Sequence, residues 1–405
     1  MVSVMAAVKL TSAEVAGFQV TEIGMIPSDW KLQYVDDFCK VSTGGRNTQD
    51  RVADGEYPFF VRSQTIENID RFSYDEEAIL TAGDGVGTGK VFHYISGKYD
   101  AHQRVYRMFD FNNEVSGKYF FRYFSEKFYA RIMQMTAKSS VDSVRRDMIT
   151  RMPIALPVLR SEQEAIAEAL SDADTLIESL AHLIAKKRAI KQGMAQALLT
   201  GNVRLLNSKN EWKLAKLGDY AEFFKGKGLP KSDIAPSGRF SCIHYGELFT
   251  TYGAIIKKVH SRTDRIDVAL LSKRYDVLMP TSDVTPYGLA KASCLTQENV
   301  VIGGDTLVIR TDQTKINGTF LAMQIRYREE QILKLVTGST VFHLYASDMR
   351  KFELPIPPIS EQSAIVEALS AIDSDIDGLC SRLAKAQQIK IGMTQVLLTG
   401  TARLV

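Results

Sequence analysis

The chain has 405 residues, 45% hydrophobic and 24% charged, with a formal net charge of +3. This is globular usage with length for two or three domains, and it excludes disorder and collagen-like repeats. The longest stretch without a charged side chain, the 13 residues from Leu335 to Ser347, carries Thr, Ser and His, whereas a membrane span needs roughly 20 apolar residues.

The segment Met1 to Lys9 has no basic n-region, long apolar stretch or small-residue cleavage site, so a cytoplasmic location is expected. Residues 1–25 read as an N-terminal extension. The four cysteines (Cys39, Cys242, Cys294, Cys380) are scattered, which predicts reduced thiols and no zinc site. The six histidines show no H-x-H or H-E-x-x-H spacing, so no metal centre is expected.

A first domain is predicted over 26–160, entered through a Trp30-Lys31-Leu32 strand. Gly83 to Lys90 is glycine-rich, but a P-loop would need Gly at position 84 and Ser or Thr at 91, where Asp84 and Val91 stand. Such a loop between strands can carry backbone N–H groups and Lys90 to a phosphate, or serve simply as a turn. Val91 to Asp100 reads as a hairpin around Ser96-Gly97-Lys98. A helical aromatic stretch (Tyr119 to Ile132), a polar loop (Lys138-Ser139-Ser140), Asp147-Met148 and a proline-containing run to Pro157 complete the domain.

Residues 161–206 read as one long helix. Ile166, Leu170, Ala173, Ile177, Leu180 and Ile184 recur at alternating steps of four and three, which is a coiled-coil seam. Ser161 occupies the expected N-cap and Gly201 the expected stop. Forty helical residues would extend about 60 Å. A second domain is predicted over 207–358, with a hairpin around Gly303-Gly304-Asp305, a helical stretch from Thr319 to Leu335 and a polar loop at Gly338-Ser339-Thr340. A second helix over 359–405 repeats the seam through Ile365, Leu369, Ile372, Ile376, Leu379 and Leu383, with Ser360 as N-cap and Gly400 as stop.

The chain is a tandem duplication. Ser161 to Leu205 recurs from Ser360 to Leu404 at an offset of 199, with 25 identities in 45 positions. Upstream, at offset 182, Trp30-Lys31-Leu32 matches Trp212-Lys213-Leu214 and Gly44 matches Gly226; these are the only two tryptophans. In each long helix an acidic first half (Glu162 to Glu178; Glu361 to Asp377) precedes a basic second half (Lys186 to Lys191; Arg382 to Lys390). Antiparallel pairing sets opposite charges side by side and parallel pairing sets like charges together, so the two helices are predicted to pair antiparallel within the chain. Gly193 and Gly392, each costing about 1 kcal/mol in a helix, point to close packing against another helix. The predicted fold is α+β: two α+β domains joined and spaced by an antiparallel coiled coil, with pseudo-two-fold symmetry.

What repeats is scaffold and what differs is the domain body, which suits two different readers held at a set distance. On duplex DNA such readers would address unlike half-sites about one turn, roughly 34 Å, apart. The order of Thr21-Glu22-Ile23-Gly24-Met25-Ile26-Pro27 before Trp30, the L-P-x-x-x-S-E-Q stretch Leu156 to Gln163 with its looser copy Leu354 to Gln362, the heptad helices and the Leu-Leu-Thr-Gly ends (Leu198 to Gly201; Leu397 to Gly400) resembles the specificity subunits of type I restriction-modification systems over nearly the whole chain.

The resemblance implies two target-recognition domains reading an asymmetric bipartite DNA sequence, and helices that dock two modification subunits. Those partners would carry S-adenosylmethionine and methylate adenine, and restriction subunits would add ATP- and Mg²⁺-dependent cleavage. This chain itself would bind no cofactor and catalyse nothing. The sequence agrees, having no N-P-P-Y, D-P-P-Y or G-x-G-x-x-G motif.

A coiled-coil adaptor or homodimerising protein-interaction module is the alternative. A nuclease is disfavoured, because no Pro-Asp dipeptide occurs and the only E-x-K is Glu211-Trp212-Lys213 on the structural strand.

Arg and Gln can pair bidentately with guanine and adenine edges, while Ser and Lys more often hold phosphates. Candidate DNA contacts in the first domain are therefore Arg62, Ser63, Gln64, Lys90, Gln103, Arg104, Lys138, Ser139 and Ser140. In the second they are Lys225, Lys227, His244, Tyr245, Ser282, Lys291, Ser339 and Thr340. Trp30 and Trp212 read as core anchors.

Overall fold

The computed structural model describes residues 17–135, 143–205, 211–266 and 270–404. The chain packs as two compact units, Met1–Ala181 with Ser381–Val405 and His182–Cys380. Each unit therefore takes one half of each long helix. Among the described residues no helix is long and apolar enough to cross a membrane.

In the first unit a hairpin of β1 (Phe18–Thr21) and β2 (Gly24–Pro27) leads to β3 (Lys31–Tyr34) and the short helix α1 (Val35–Phe38). A six-stranded sheet follows, built from β4 (Lys40–Thr43), β5 (Tyr57–Phe60), β6 (Glu67–Ile69), β7 (Tyr74–Ala82), β8 (Phe92–Ala101) and β9 (Val105–Phe109). Its order is β4-β9-β7-β8-β5-β6, with only β5 and β8 parallel among its pairs. Helix α2 (Gly117–Met135) buries Phe120, Phe124 and Phe128, spaced one turn apart so that their rings meet in a row, Phe120 edge-on to Phe124 and Phe124 stacked on Phe128. After α3 (Arg146–Thr150), β10 (Pro153–Leu156) returns to pair with β3 and delivers the chain into α4 (Arg160–Thr200).

The second unit opens on β11 (Lys213–Lys216) and builds two sheets where the first has one. Strands β12 (Ala221–Lys225), β14 (Ile255–Ile256), β17 (Val277–Pro280), β19 (Ser293–Leu295) and β21 (Thr306–Thr311) form one, in the order β12-β21-β17-β19-β14. Strands β13 (Phe240–Ile243), β15 (Ser261–Thr263), β16 (Leu270–Leu271) and β20 (Val301–Ile302) form the other, in the order β15-β13-β20-β16. Helix α5 (Glu247–Thr250) follows β13, and β18 (Ser282–Asp283) pairs with β22 (Phe342–His343). Helices α6 (Gly318–Tyr327), α7 (Glu329–Leu333) and α8 (Ala346–Met349) lead to β23 (Glu353–Ile356), which pairs with β11 before α9 (Ile359–Leu397).

Both predicted hairpins are corrected. Ser96-Gly97-Lys98 lies inside the continuous strand β8, whose partner β7 is long enough to pair from Tyr74↔Tyr99 to Thr81↔Phe92 without a break. Gly97, at φ +127°, bends this strand and does not reverse it. Gly303-Gly304-Asp305 does turn the chain, but β20 before it and β21 after it belong to different sheets. Strand β8 instead forms a hairpin with β7, joined by the glycine-rich segment from Gly83 to Val91.

The helix starts are corrected as well. Arg160 and Ile359 open the helices, so Ser161 and Ser360 lie within the first turn. The glutamine two residues on ties each helix start to the domain before it. Gln163 donates to the carbonyls of Pro157 and Glu114 and accepts from the Ser116 N–H at 2.8 Å. Gln362 donates to those of Pro357 and Lys315 and accepts from the Asn317 N–H at 2.9 Å. Gly201 (φ +79°) and Gly400 (φ +70°) do end the helices in the left-handed conformation. The bonds Val203 N–H to Ala197 O and Ala402 N–H to Val396 O, both 3.1 Å, close the same C-terminal cap in each copy.

Helix pairing is antiparallel in each unit taken alone. In the first, Asp174 meets Lys390. In the second, Lys187 meets Asp375 at 2.9 Å and Lys191 meets Asp373 at 2.5 Å, so the partner's number falls as the residue number rises. Along the seam Ile166, Leu170, Leu180, Ile184, Ile365, Leu369, Ile376 and Leu379 are buried, while Ile177, Ile372 and Leu383 are half-buried, since two helices alone leave part of a seam open. Gly193 and Gly392 are exposed, with no atom within 4 Å of where a Cβ would stand. Among the described residues no other helix packs closely on either glycine.

The helix ends are locked by a repeated ion pair. Arg204, just past α4, forms two bonds with Glu361 at the start of α9 (2.8 and 2.7 Å), and Trp212 donates to the same carboxylate at 3.2 Å. Arg403, just past α9, pairs with Glu162 at the start of α4 and with Asp29, its guanidinium 5.7 Å from the Trp30 ring. Glu162 and Glu361 are each 1% exposed. Around them Trp30, Ile166, Leu170, Leu397 and Leu398 share the core of the first unit, and Leu198, Leu199, Phe320, Ile365 and Leu369 share a cluster in the second.

Removing one partner of a buried pair leaves an unpaired charge and costs about 3–5 kcal/mol. Arg204→Ala should lower the stability of the second unit, read by denaturant unfolding, because it leaves the buried Glu361 carboxylate without its arginine. The Arg204 guanidinium, by hydrogen bonding, holds the Glu361 carboxyl below its ordinary value. The stability this contributes is fully present above an ordinary glutamate pKa of about 4.3 and is lost as pH falls through the lowered one. Melting curves below pH 4.3 should therefore fall less steeply in Arg204→Ala than in the natural chain.

Candidate nucleic-acid interface

The described candidate residues of the first unit lie on turns that backbone bonds tie to one another. Gly44, just past β4, donates to Val105 O (3.0 Å), and Gly45 to Ala101 O (3.1 Å). A Cβ on Gly44 would stand 2.1 Å from Ala101 O, so only glycine lets the two turns touch. His102 donates to Phe60 O (2.9 Å), tying the turn before β9 to the end of β5. Gly83 donates to Arg104 O (2.8 Å) and accepts from Val144 N–H (2.7 Å), which adds the glycine-rich loop and the segment entering α3.

The same backbone bonds recur in the second unit. Gly226 donates to Thr306 O (2.8 Å), Lys227 to Ile302 O (3.2 Å), Gly303 to Ile243 O (2.9 Å), Thr281 to Asp305 O (2.9 Å) and Leu344 to Thr281 O (3.0 Å). A Cβ on Gly226 would stand 1.9 Å from Gly303 O. Counting from these bonds, Arg62 corresponds to Tyr245, Asp84 to Ser282, Arg104 to Asp305 and His102 to Gly303. The frame is shared and the side chains mounted on it are different.

On the first frame Asp84 accepts from Arg62 (Nη1–Oδ1, 2.8 Å) and from Arg104 (Nη1–Oδ2, 2.9 Å). Gln103 donates to Asn47 Oδ1 at 2.7 Å. Arg46 pairs with the buried Asp100 at 2.8 Å. Burial, and next the nearby Arg62 charge, push the His102 pKa down; its Nδ1 accepts from the Arg104 backbone N–H at 3.0 Å. Ser63 turns its hydroxyl to Thr65 O, Gln64 is exposed, and the Lys90 ammonium lies 5.6 Å from the Tyr129 ring centre. Lys138, Ser139 and Ser140 lie outside the described residues.

On the second frame Lys225 and Lys227 are exposed, with the Lys225 ammonium 3.9 Å from Asp305. The His244 and Tyr245 rings lie 4.6 Å apart. Ser282 pairs with His343, beyond the exposed Ser339 and Thr340. Lys291 already has a partner within the fold. It is half-buried and donates to the Phe249 carbonyl at 2.9 Å, which ties its ammonium to the fold. Arg46, Asn47, His102 and His343 share these turns without having been singled out in the sequence. The Gly44/Gly226 correspondence was the signal that pointed to the first two, because it marks the turn they follow.

The comparisons with known proteins point the same way. The family described as the type I restriction modification DNA specificity domain matches residues 27–186 and again 209–379. A protein of Methanocaldococcus jannaschii provisionally named the type I restriction enzyme MjaX specificity subunit is 25% identical over 430 residues, covering 96% of this chain and 97% of that protein. The type I restriction enzyme EcoDI specificity subunit of Escherichia coli is 30% identical over 177 residues, 44% of this chain and 38% of its own length. The crystal structure of the S subunit of a type I restriction-modification system from M. genitalium shares the fold, with a TM-score of 0.64 at 16% identity over 91% of this chain and 96% of that one.

The glycine contacts make a stability prediction. Gly44→Ala and Gly226→Ala should each cost about 1–3 kcal/mol by overpacking against backbone that cannot move aside. Gly45→Ala, with nothing within 4 Å, should be nearly neutral. Thermal melting of the three variants checks this.

Proposed function

Because the chain belongs to the type I restriction-modification DNA-specificity family, with two copies of its domain, we propose that it reads an asymmetric two-part duplex DNA target, one half with each domain. The observation that carries this is the repeated backbone frame bearing unlike side chains: like frames present the two turn sets in the same way, and unlike residues demand unlike sequences. In this reading Arg62, Gln64, Gln103 and Arg104 in the first domain, and His244, Tyr245 and Ser282 in the second, are the groups assigned to base edges. Lys90, Lys225 and Lys227 are suited to phosphates.

The long helices act as the ruler between the half-sites and as the dock for modification subunits, two per chain, with restriction subunits joining the assembly. Support for docking comes from apolar surface left open on them. In the first unit Ala169, Leu176, Leu180, Ile389 and Met393 line a groove beside Arg382 and Lys385, and Leu176 and Ile389 are about half exposed. Gly193 in the second unit and Gly392 in the first each offer a further place where a partner's backbone can come close. S-adenosylmethionine, ATP and Mg²⁺ belong to those partners in this reading. The chain acts in the cytoplasm and supplies no chemistry of its own.

Exchanging residues 26–160 for the corresponding domain of a relative should change one half of the recognised sequence and leave the other. A change in both halves would contradict modular reading. Adding one helical turn between Ile166 and Ile184 should lengthen the gap between the halves or abolish assembly, and an intact complex with an unchanged gap would mean that the helices are not the ruler.

A further inference from the structure

We infer that Asp84 is a positioning residue that sets Arg62 and Arg104 to read a guanine in the half-site addressed by the first domain. This rests on the DNA-specificity reading above and names the base and the residues that select it.

The geometry carries the inference. One carboxylate takes a single Nη1–H from each arginine, at 2.8 and 2.9 Å, with a different oxygen for each. The Asp84 side chain is 19% exposed, against 46% for Arg62 and 64% for Arg104, so the carboxylate sits beneath the two guanidinium groups. Each arginine is thus held through Nη1 alone, while its Nε and Nη2 groups have no partner among the described residues. A guanidinium held at Nη1 leaves its Nε/Nη2 edge as a planar fork, the geometry that matches guanine O6 and N7.

The backbone beneath the three residues is fixed too. Arg104 donates its N–H to His102 Nδ1 and accepts from Gly83. Gly87 packs so closely on the Arg62 carbonyl that a Cβ there would stand 2.6 Å from it. Asp84 itself bridges to Ser143.

Charge decides between base and phosphate. A carboxylate between two guanidinium groups leaves the trio with one net positive charge and sets a negative group beside any phosphate approaching it. Guanine O6 and N7 are uncharged acceptors and meet no such opposition. In the second domain the corresponding positions are Tyr245, Ser282 and Asp305, so the trio is absent there and the guanine requirement falls on one half-site alone.

The test is selection from a duplex library randomised over 30 base pairs, using the chain assembled with its modification subunits. The natural chain is compared with Arg62→Lys, Arg104→Lys and Asp84→Asn. Lysine keeps the charge and loses the fork, and asparagine keeps the shape and loses the charge. The expected result is a two-part motif in which one G·C pair loses about 10- to 100-fold of its preference in at least one lysine variant. Asp84→Asn should weaken preference at that same pair, with the other half of the motif and the melting temperature unchanged.

Lysine variants that retain the full motif, or variants that weaken binding alike on all sequences, would overturn the assignment and leave the DNA-specificity reading standing. A lowered melting temperature in Asp84→Asn with the motif intact would make its role merely structural and overturn it too. If the natural chain enriches no motif, the specificity reading itself fails and takes this one with it.

Discussion

A buried carboxylate at the start of each long helix, bound by an arginine that follows the end of the other, is the constraint on which the rest of the molecule depends. Glu162 and Glu361 are both 1% exposed, and a charge so placed must be paired. Their partners are Arg403 and Arg204. An arginine beyond the C-terminus of one helix can reach the N-terminus of the other only if the two run in opposite directions. The acidic-to-basic polarity of each helix then becomes favourable along its length, as the pairs of Asp174, Lys187 and Lys191 record. Trp30 and Trp212 lie against these same arginines, which fixes where each domain begins relative to the helix ends.

From these anchors the two domains are built on one plan and specialised by substitution. The glycines that let turns touch, Gly44 and Gly226, and the backbone bonds around them are the same in both. The sheets above them have drifted: the first unit runs one strand from Phe92 to Ala101 where the second splits it between two sheets at Leu295 and Val301. A frame held by main-chain bonds tolerates such drift and free choice of side chain at the turns, which is what a pair of readers for unlike sequences requires.

Much of this was legible in the sequence for a physical reason. Repetition at a fixed offset exposes the duplication, and heptad spacing with charge polarity exposes both the helices and their direction. The glycine-centred segments were misread because a local signal cannot say whether a strand partner is available. Gly97 lies in a strand because β7 runs alongside it throughout, and Gly303 turns between two sheets because Ile243 takes its N–H. Ser161 and Ser360 looked like caps by residue type but lie inside the first turn, and the side chains of Gln163 and Gln362 beside them accept from the backbone of Ser116 and Asn317, more than 40 positions away. The Asp84 trio joins residues from three separate turns, so no spacing rule could have assembled it. Lys291 shows the converse, a surface-type residue committed to a carbonyl that only the fold brings near.

The central claim is that this chain alone supplies DNA sequence choice to a modification complex. Methylation mapping of DNA from cells expressing the chain with its modification subunit, beside cells lacking the chain, tests that claim most directly. The account predicts a split, adenine-methylated motif that appears only when the chain is present. A stable complex of the two proteins with no such motif would contradict it.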